Sequence, residues 1–365
     1  MFDMHSELST FFKDHVRLKP DSVEELDVFR QRNIDRLNTG LEKLEYNGPV
    51  KTPTQGGRAM KTLNQTPENN PDADYDIDTA AIFKRDDLPE NPLDARKRVL
   101  AGVKEGGGNF SQEPEARTNA VTIWYQGGYH VDLAVHRIYT NDFCEEIIEH
   151  AGVEWSRRDP AHITNWFHEQ VELRSPSKSN GATVDEKQMR RIVQLLKYFS
   201  KSRKSWKLPG GLIISTLVSK YYVPDFSRDD KALYETMRAI YYGLLVSVEV
   251  ANPVDSSQSL TYKGEYRNQV RAFKDKLCEA INWLSPLFEA SCDREQAARV
   301  WNTVYKHSYW GNLAAVETEK ARGEALKAAA AAGSLYTGSQ GILSTTKPAG
   351  RSTSSNQPHR FYGED

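Results

Sequence analysis

The segment YDIDTAAIF, residues 75–83, constrains this chain more than any other. Alternate residues of a strand share a face, so Asp76 and Asp78 read as adjacent carboxylates with Ile77 turned toward a core. Ala80, Ile82 and Phe83 follow the pair and mark the strand as central rather than edge. Carboxylates on a central strand are costly without partners. Asp72 and Asp74 keep the same parity, so Asp74/Asp76 is the alternative pair. The apolar run after Asp78 favours 76/78. Taken alone, the Asp-x-Asp pattern is also that of a solvated acidic strand.

Flanking patterns divide the chain of 365 residues. Residues 21–45 read as a long helix, with Val23, Leu26, Phe29, Ile34, Leu37 and Leu41 on one side. Residues 92–105 read as a helix with proline near its first turn. TNAVTIWYQ and YHVDLAVHRIY, split by Gly127-Gly128, read as a hairpin. From about 155 the period changes from two to 3.6, and helices are expected near 160–173, 184–205, 211–222, 229–249, 265–289 and 293–309. Residues 318–332 favour helix but have little to bury. From Ser334 the chain is Ser, Thr, Gly and Pro with few apolar residues, and reads as disordered. The fold class is α+β: a small mixed sheet with a long N-terminal helix (1–150), an all-helical lobe (151–315), then a helix and disordered tail (316–365).

The composition excludes several classes. Forty-eight basic against 50 acidic residues give a net charge of −2, so no global basic coat for nucleic acid exists. Three cysteines without a Cys-x-x-Cys pair argue against a disulfide scaffold or structural zinc. The start, MFDMHSELSTFF, lacks the features of a signal peptide, and no apolar run is long enough for a membrane span. The expected compartment is the cytoplasm.

Two adjacent carboxylates repel unless neutralised. Hard divalent cations do this, and Mg²⁺ works with one or two carboxylates plus substrate phosphates. Asp132, in YHVDLAV, supplies a third carboxylate if its strand neighbours the first. Three such groups suit two Mg²⁺ ions, with Mn²⁺ as a substitute, in a phosphoryl-type displacement. Upstream, Gly56-Gly57 lets backbone N–H groups approach a phosphate, and residues 58–63 read as the opening of a short helix. By itself this is an ordinary Gly-Gly turn. His130 and His136 share the parity of Asp132 and read as polar-face residues.

QGGRAMKTLNQ, YDIDTAAIF and YHVDLAVHRI together resemble the cGAS/DncV-like nucleotidyltransferases, the bacterial CD-NTases, within the polymerase-beta-type superfamily. DPAHITNWFHEQV, RRIVQLLKYFSKSRKSW and PGGLIISTLVS are similar to helical-domain segments of the DncV-like branch. The resemblance covers about 50–310. It implies a template-independent nucleotidyltransferase that makes a cyclic di- or trinucleotide from NTPs in anti-phage (CBASS-type) defence. It assigns catalysis and metal binding to Asp76, Asp78 and Asp132. The family's Gly-Ser is Gly56-Gly57 here, so the Ser hydroxyl contact to triphosphate is absent while the backbone contribution remains. No His/Cys zinc insertion is present, so activation by DNA is not expected.

Residues 186–207 hold eight Lys/Arg and one acid. Arg190, Lys197, Lys201 and Lys204 fall in one arc beside the apolar stripe Met189, Ile192, Val193, Leu196 and Phe199. This is either a solvated basic face or one that fronts a triphosphate. The resemblance picks Lys197 as phosphate ligand; Ser215, by its hydroxyl, and Arg117, just before the first hairpin strand, are expected as further nucleotide contacts. Two other function classes share these motifs: a transferase modifying a protein, RNA or small molecule, and a non-catalytic NTP-binding protein. The tail ends in PHRFYGED, aromatic residues after a polar stretch, which suits docking by a regulatory partner.

Overall fold

The computed structural model describes residues 1–71, 75–125, 129–176, 187–337, 342–346 and 354–356. Gly127-Gly128, Asp72, Asp74, residues 184–186 and the PHRFYGED end lie outside these, so the expectations placed on them are not addressed. Helix α1 (His5–Phe11) runs into a π-turn, Phe12–Val16, before α2 (Pro20–Lys43), which opens on proline. A single turn, α3 (Gly56–Ala59), precedes β1 (Tyr75–Lys84) and α4 (Pro92–Glu105). Asn91 caps α4, its side chain accepting from the N–H groups of Leu93 and Asp94. Strands β2 (Glu115–Ala116), β3 (Val121–Tyr125), β4 (Tyr129–Thr140), β5 (Glu146–Ala151) and β6 (Trp155–Arg157) complete the sheet.

The sheet is mixed, and β4 is its axis. One edge of β4 pairs in parallel with β1 from Tyr75↔Tyr129 to Lys84↔Ile138. The other edge pairs antiparallel, first with β3 and then with β5. Val131, Leu133 and Val135 of β4 join Ile77, Ala81 and Phe83 of β1 in the buried core. Leu37 and Leu41 of α2 and Val99 and Val103 of α4 close it from the helical side. The long helix therefore backs the sheet, and the even-numbered face of β4 is left for other use.

Helices α5 (Pro160–Arg174), α6 (Gln188–Lys201), α7 (Gly211–Tyr221), α8 (Asp229–Val246) and α9 (Gly264–Trp283) follow. A hairpin, β7 (Ala251–Asn252) with β8 (Asp255–Ser259), interrupts the helical half. Two compact units emerge: one of Met1, Asp3–Leu284 and Val304–Lys306, the other of Phe2, Ser285–Thr303 and the chain from His307 onward. Sheet and helices α5–α9 thus share one unit, although the period changes near 155.

The second unit contains most of α10 (Arg294–Tyr305) and α11 (Ser308–Ala331). Trp301 and Trp310 stack there at 5.8 Å, both fully buried. The alanine-rich end of α11 buries only Ala329, as its composition implies. In the polar tail, short strands β9 (Leu335–Thr337), β10 (Leu343–Ser344) and β11 (Ser354–Asn356) pair antiparallel. Backbone hydrogen bonds hold these pieces without an apolar pattern, so composition alone does not reveal them.

Candidate active site

The parallel register between β1 and β4 builds the acidic wall. It sets Asp78 directly opposite Asp132, and Asp76 opposite His130, by backbone position. Neighbouring strands lie roughly 4.8 Å apart, so Asp78 and Asp132 stand side by side on one face. Thr122, across β3, donates its hydroxyl to Asp132 Oδ1 at 2.6 Å. His130 Nε2 lies 3.8 Å from Asp132 Oδ2.

The glycine turn is stitched to the same strand. Gln55 N–H donates to the Asp78 carbonyl at 2.9 Å, and Ala80 N–H donates to the Pro53 carbonyl at 3.0 Å. Gly56 has φ +57°, and a Cβ there would sit 1.8 Å from Asp78 Oδ2. Only glycine meets both demands. The helical turn begins at Gly56 rather than at residue 58, and ends before 63 because Lys61 turns left-handed at φ 55°.

This turn is held from two sides, by Asp27 and by His168. Arg58 makes a two-pronged pair with Asp27 of α2, at 3.0 and 2.7 Å, and that hydrogen bond raises the Arg58 pKa. From α5, His168 Nε2 donates to the Ala59 carbonyl at 3.0 Å, while Arg190 Nη2 donates to His168 Nδ1 at 3.0 Å. An imidazole that accepts at Nδ1 and donates at Nε2 is neutral. Arg190 is therefore a buried structural donor, unlike Lys197 and Lys201, which line the cavity. The arc of four cations is thus divided in role, and Lys204 lies beyond the end of α6. Arg191 is also occupied, paired with buried Asp229 at 2.5 Å.

Lys197 reaches across from α6. Its Nζ donates to the Thr62 carbonyl at 2.6 Å and to Thr62 Oγ1 at 3.1 Å. Two glycines leave room for it: a Cβ on Gly57 would lie 3.5 Å from Nζ, and one on Gly211 would lie 3.1 Å from Cε. Gly56, Gly57, Asp78, Asp132, Lys197 and Ser215 line one cavity of about 420 Å³. Arg117 does not join them. It pairs with Glu115 at 3.5 Å and lies 4.8 Å above the Trp124 ring, the short β2–β3 turn directing it along the sheet.

Sequence reasoning missed the inner end of this cavity. His136 and His150 face each other with ring centroids 5.0 Å apart. Burial, and the neighbouring His150, lower the His136 pKa to about 3; burial lowers that of His150 to about 4. Both are neutral at ordinary pH. Arg158 lines the same cavity and a second of about 620 Å³, whose wall includes Asn119, Gln258, Tyr262, Tyr266 and Gln269. The parity of His136 was a usable signal; Arg158 stands in an aperiodic stretch and had none.

Carboxylate oxygens are hard donors, and the Asp78–Asp132 pair suits a hard divalent cation on that ground. Gly56 keeps the space beside Asp78 Oδ2 clear of a methyl group. Among the described residues no cluster of three metal-ligating side chains occurs, the side chain of Asp76 not being among those described. No described helix is long and apolar enough to cross a membrane.

Residues 50–136 match the family described as cyclic GMP-AMP synthase DncV-like, nucleotidyltransferase domain. In fold the chain is similar to Escherichia coli CdnC solved with ATP, at TM-score 0.58 and 16% identity over 84% of this chain and 98% of that one. It is similar to the Bradyrhizobium diazoefficiens CD-NTase CdnG in complex with GTP, at TM-score 0.60 and 16% identity over 83% and 95%. Vibrio cholerae DncV cyclic AMP-GMP synthase gives TM-score 0.61 and 12% identity over 84% and 96%.

Proposed function

We propose, from the premise that residues 50–136 form a nucleotidyltransferase domain of the DncV-like family, that this chain joins NTPs into a cyclic di- or trinucleotide without a template. One observation carries the reading: Asp78 and Asp132 face a cavity that also exposes Lys197 and the glycine turn. Two adjoining cavities leave room for a donor and an acceptor nucleotide together. This favours nucleotide joining over modification of a protein or RNA.

The residues divide the work. The Gly56-Gly57 backbone and Lys197 hold the donor triphosphate, with the ammonium offsetting its charge. Asp76, Asp78 and Asp132 are the residues that would hold Mg²⁺, which when bound supplies Lewis-acid activation of oxygen at phosphorus. Asp132, oriented by Thr122, accepts the proton of the acceptor ribose hydroxyl. The hydroxyl oxygen bonds to the α-phosphorus as the bond to pyrophosphate breaks. A second displacement closes the ring. Ser215 contributes a hydroxyl to the same wall.

The test is incubation of the purified chain with each α-labelled NTP and with mixtures, followed by phosphatase and mass spectrometry. Phosphatase-resistant oligonucleotide is expected from the wild type and not from Asp78→Asn. Product formed only when a protein or RNA is added would overturn the reading. The biological setting, anti-phage signalling in the cytoplasm, rests on the same proposal. The tail is proposed as a docking segment for a regulatory protein. Removing residues 334–365 should then spare synthesis in vitro.

A further inference from the structure

The second cavity differs from the first in kind. Among its described lining residues the one charged side chain is Arg158, set among carboxamides and the tyrosines Tyr262 and Tyr266. Among the described residues no carboxylate and no lysine lines it. Such a wall is poor for a triphosphate and good for a flat heterocycle that stacks and exchanges hydrogen bonds. Tyr262 and Tyr266 meet edge to face at 5.7 Å. The backbone there is pinned, because Arg267 donates to the carbonyls of Thr261 and Tyr262, each at 3.0 Å.

Arg158 is solvent-exposed and lines both cavities. The surrounding protein desolvates its guanidinium and lowers its pKa, while Tyr262 and Asp78 oppose that shift through their charge. Its backbone N–H is used, donating to Ile148 at 2.9 Å, but among the described residues its guanidinium has no hydrogen-bond partner. Its fork of donors is therefore open to a ligand's acceptors.

We infer that the second cavity is a nucleobase subsite and that Arg158 makes it selective for guanine. This rests on the nucleotidyltransferase reading and deepens it. Guanine presents two adjacent acceptors, O6 and N7, which match the guanidinium fork. Its N1–H and N2–H₂ donors find carboxamide oxygens on Gln258 or Gln269. Adenine would turn an amino group against the same donors and leave both sides unpaired. The pyrimidines lack the second ring that the 620 Å³ cavity accommodates.

The experiment titrates GTP, ATP, CTP and UTP separately onto the full-length chain in Ca²⁺, by calorimetry. A parallel arm measures base composition of the product from mixed NTPs in Mg²⁺. Wild type should favour GTP, with guanine in the product. Arg158→Gln should lower GTP affinity roughly tenfold or more and leave the other three within about twofold. Arg158→Lys keeps the charge but not the fork, so it should lose the guanine preference as well. Equal loss for all four NTPs, or none for GTP, would overturn the inference even with product formation intact. If the wild type binds no NTP, the nucleotidyltransferase reading falls first and this one with it. Unchanged thermal midpoints for both variants would separate lost recognition from lost folding.

Discussion

The two walls of the first cavity are held by different means. On the sheet side, backbone register does the positioning: Asp78 and Asp132 are opposed because β1 and β4 are in parallel register along ten residue pairs. On the helical side, side chains do it: Lys197 depends on Thr62, and the turn beneath it depends on Asp27, His168 and Arg190. A register shift of one residue would flip every side chain on the acidic wall, so the core enforces that wall strongly. The basic wall has no such protection, and single contacts can move it.

The largest effects should therefore come from the chemistry of the rigid wall. Asp78→Asn or Asp132→Asn should lower pyrophosphate release from NTPs by at least about a hundredfold, with thermal stability near wild type. Retained activity in Asp78→Asn would move the pair upstream to Asp74/Asp76 and break the comparison at its base. Gly56→Ala tests the same wall through space. The new Cβ would collide with Asp78 Oδ2 at 1.8 Å, and φ +57° adds a cost of roughly 1 kcal/mol. Activity should fall nearly as far as in the Asp variants. Gly57→Ala is the milder counterpart, since its Cβ would lie 3.0 Å from the end of the Leu63 side chain, which can give way, and at ordinary contact distance, 3.5 Å, from Lys197 Nζ. Its loss should be mild, measured by the same pyrophosphate assay.

The helical wall should respond by degrees. Lys197→Ala should lower kcat/KM roughly tenfold to a hundredfold, by loss of a charge-assisted phosphate contact. Lys197→Arg should fail to rescue it. The slot between Gly57 and Gly211 fits an alkyl stem and a compact ammonium, and a planar guanidinium is too broad. Full activity in Lys197→Arg would show that charge alone matters and that the slot is incidental.

This contrast also explains what the sequence made legible. A strand advertises its two faces by alternation, so the acidic wall could be read from YDIDTAAIF and YHVDLAV, and the fold class from the change of period. Lone strands were harder. Glu146–Ala151 places Ile147 and Ile148 side by side, which breaks alternation, and Trp155–Arg157 is too short to show a pattern. The helical wall required knowing which cation meets which acceptor. Arg190 and Lys197 share an arc of one helix, yet one is spent on His168 and the other reaches the cavity. Helical periodicity gives the arc and not the partner. Arg158 and Arg117 show the same limit from outside the helices, since both precede or follow short strands whose turns decide their direction.

The smallest effect concerns stability rather than rate, and it separates the inner end of the cavity from both walls. His136 and His150 are buried neutral, with pKa values lowered to about 3 and about 4 from the ordinary 6.5. Below pH 6.5 the unfolded chain takes up protons that the folded chain refuses. Linkage then makes stability fall as pH drops from about 6.5 toward 4, and leaves it flat with respect to these groups above 7. The thermal midpoint should decline across that window, and His136→Gln should shrink the slope even if it lowers the midpoint at pH 7. His136 donates from Nδ1 to the Ala134 carbonyl at 2.9 Å, and a Gln amide retains a donor without taking a proton. The rate of pyrophosphate release, by contrast, should show no titration from these two rings between pH 6 and 8, because neither changes charge there. A midpoint slope identical in wild type and variant would mean that the ring is protonated in the folded chain, and that the inner end of the cavity is wetter and more polar than its packing implies.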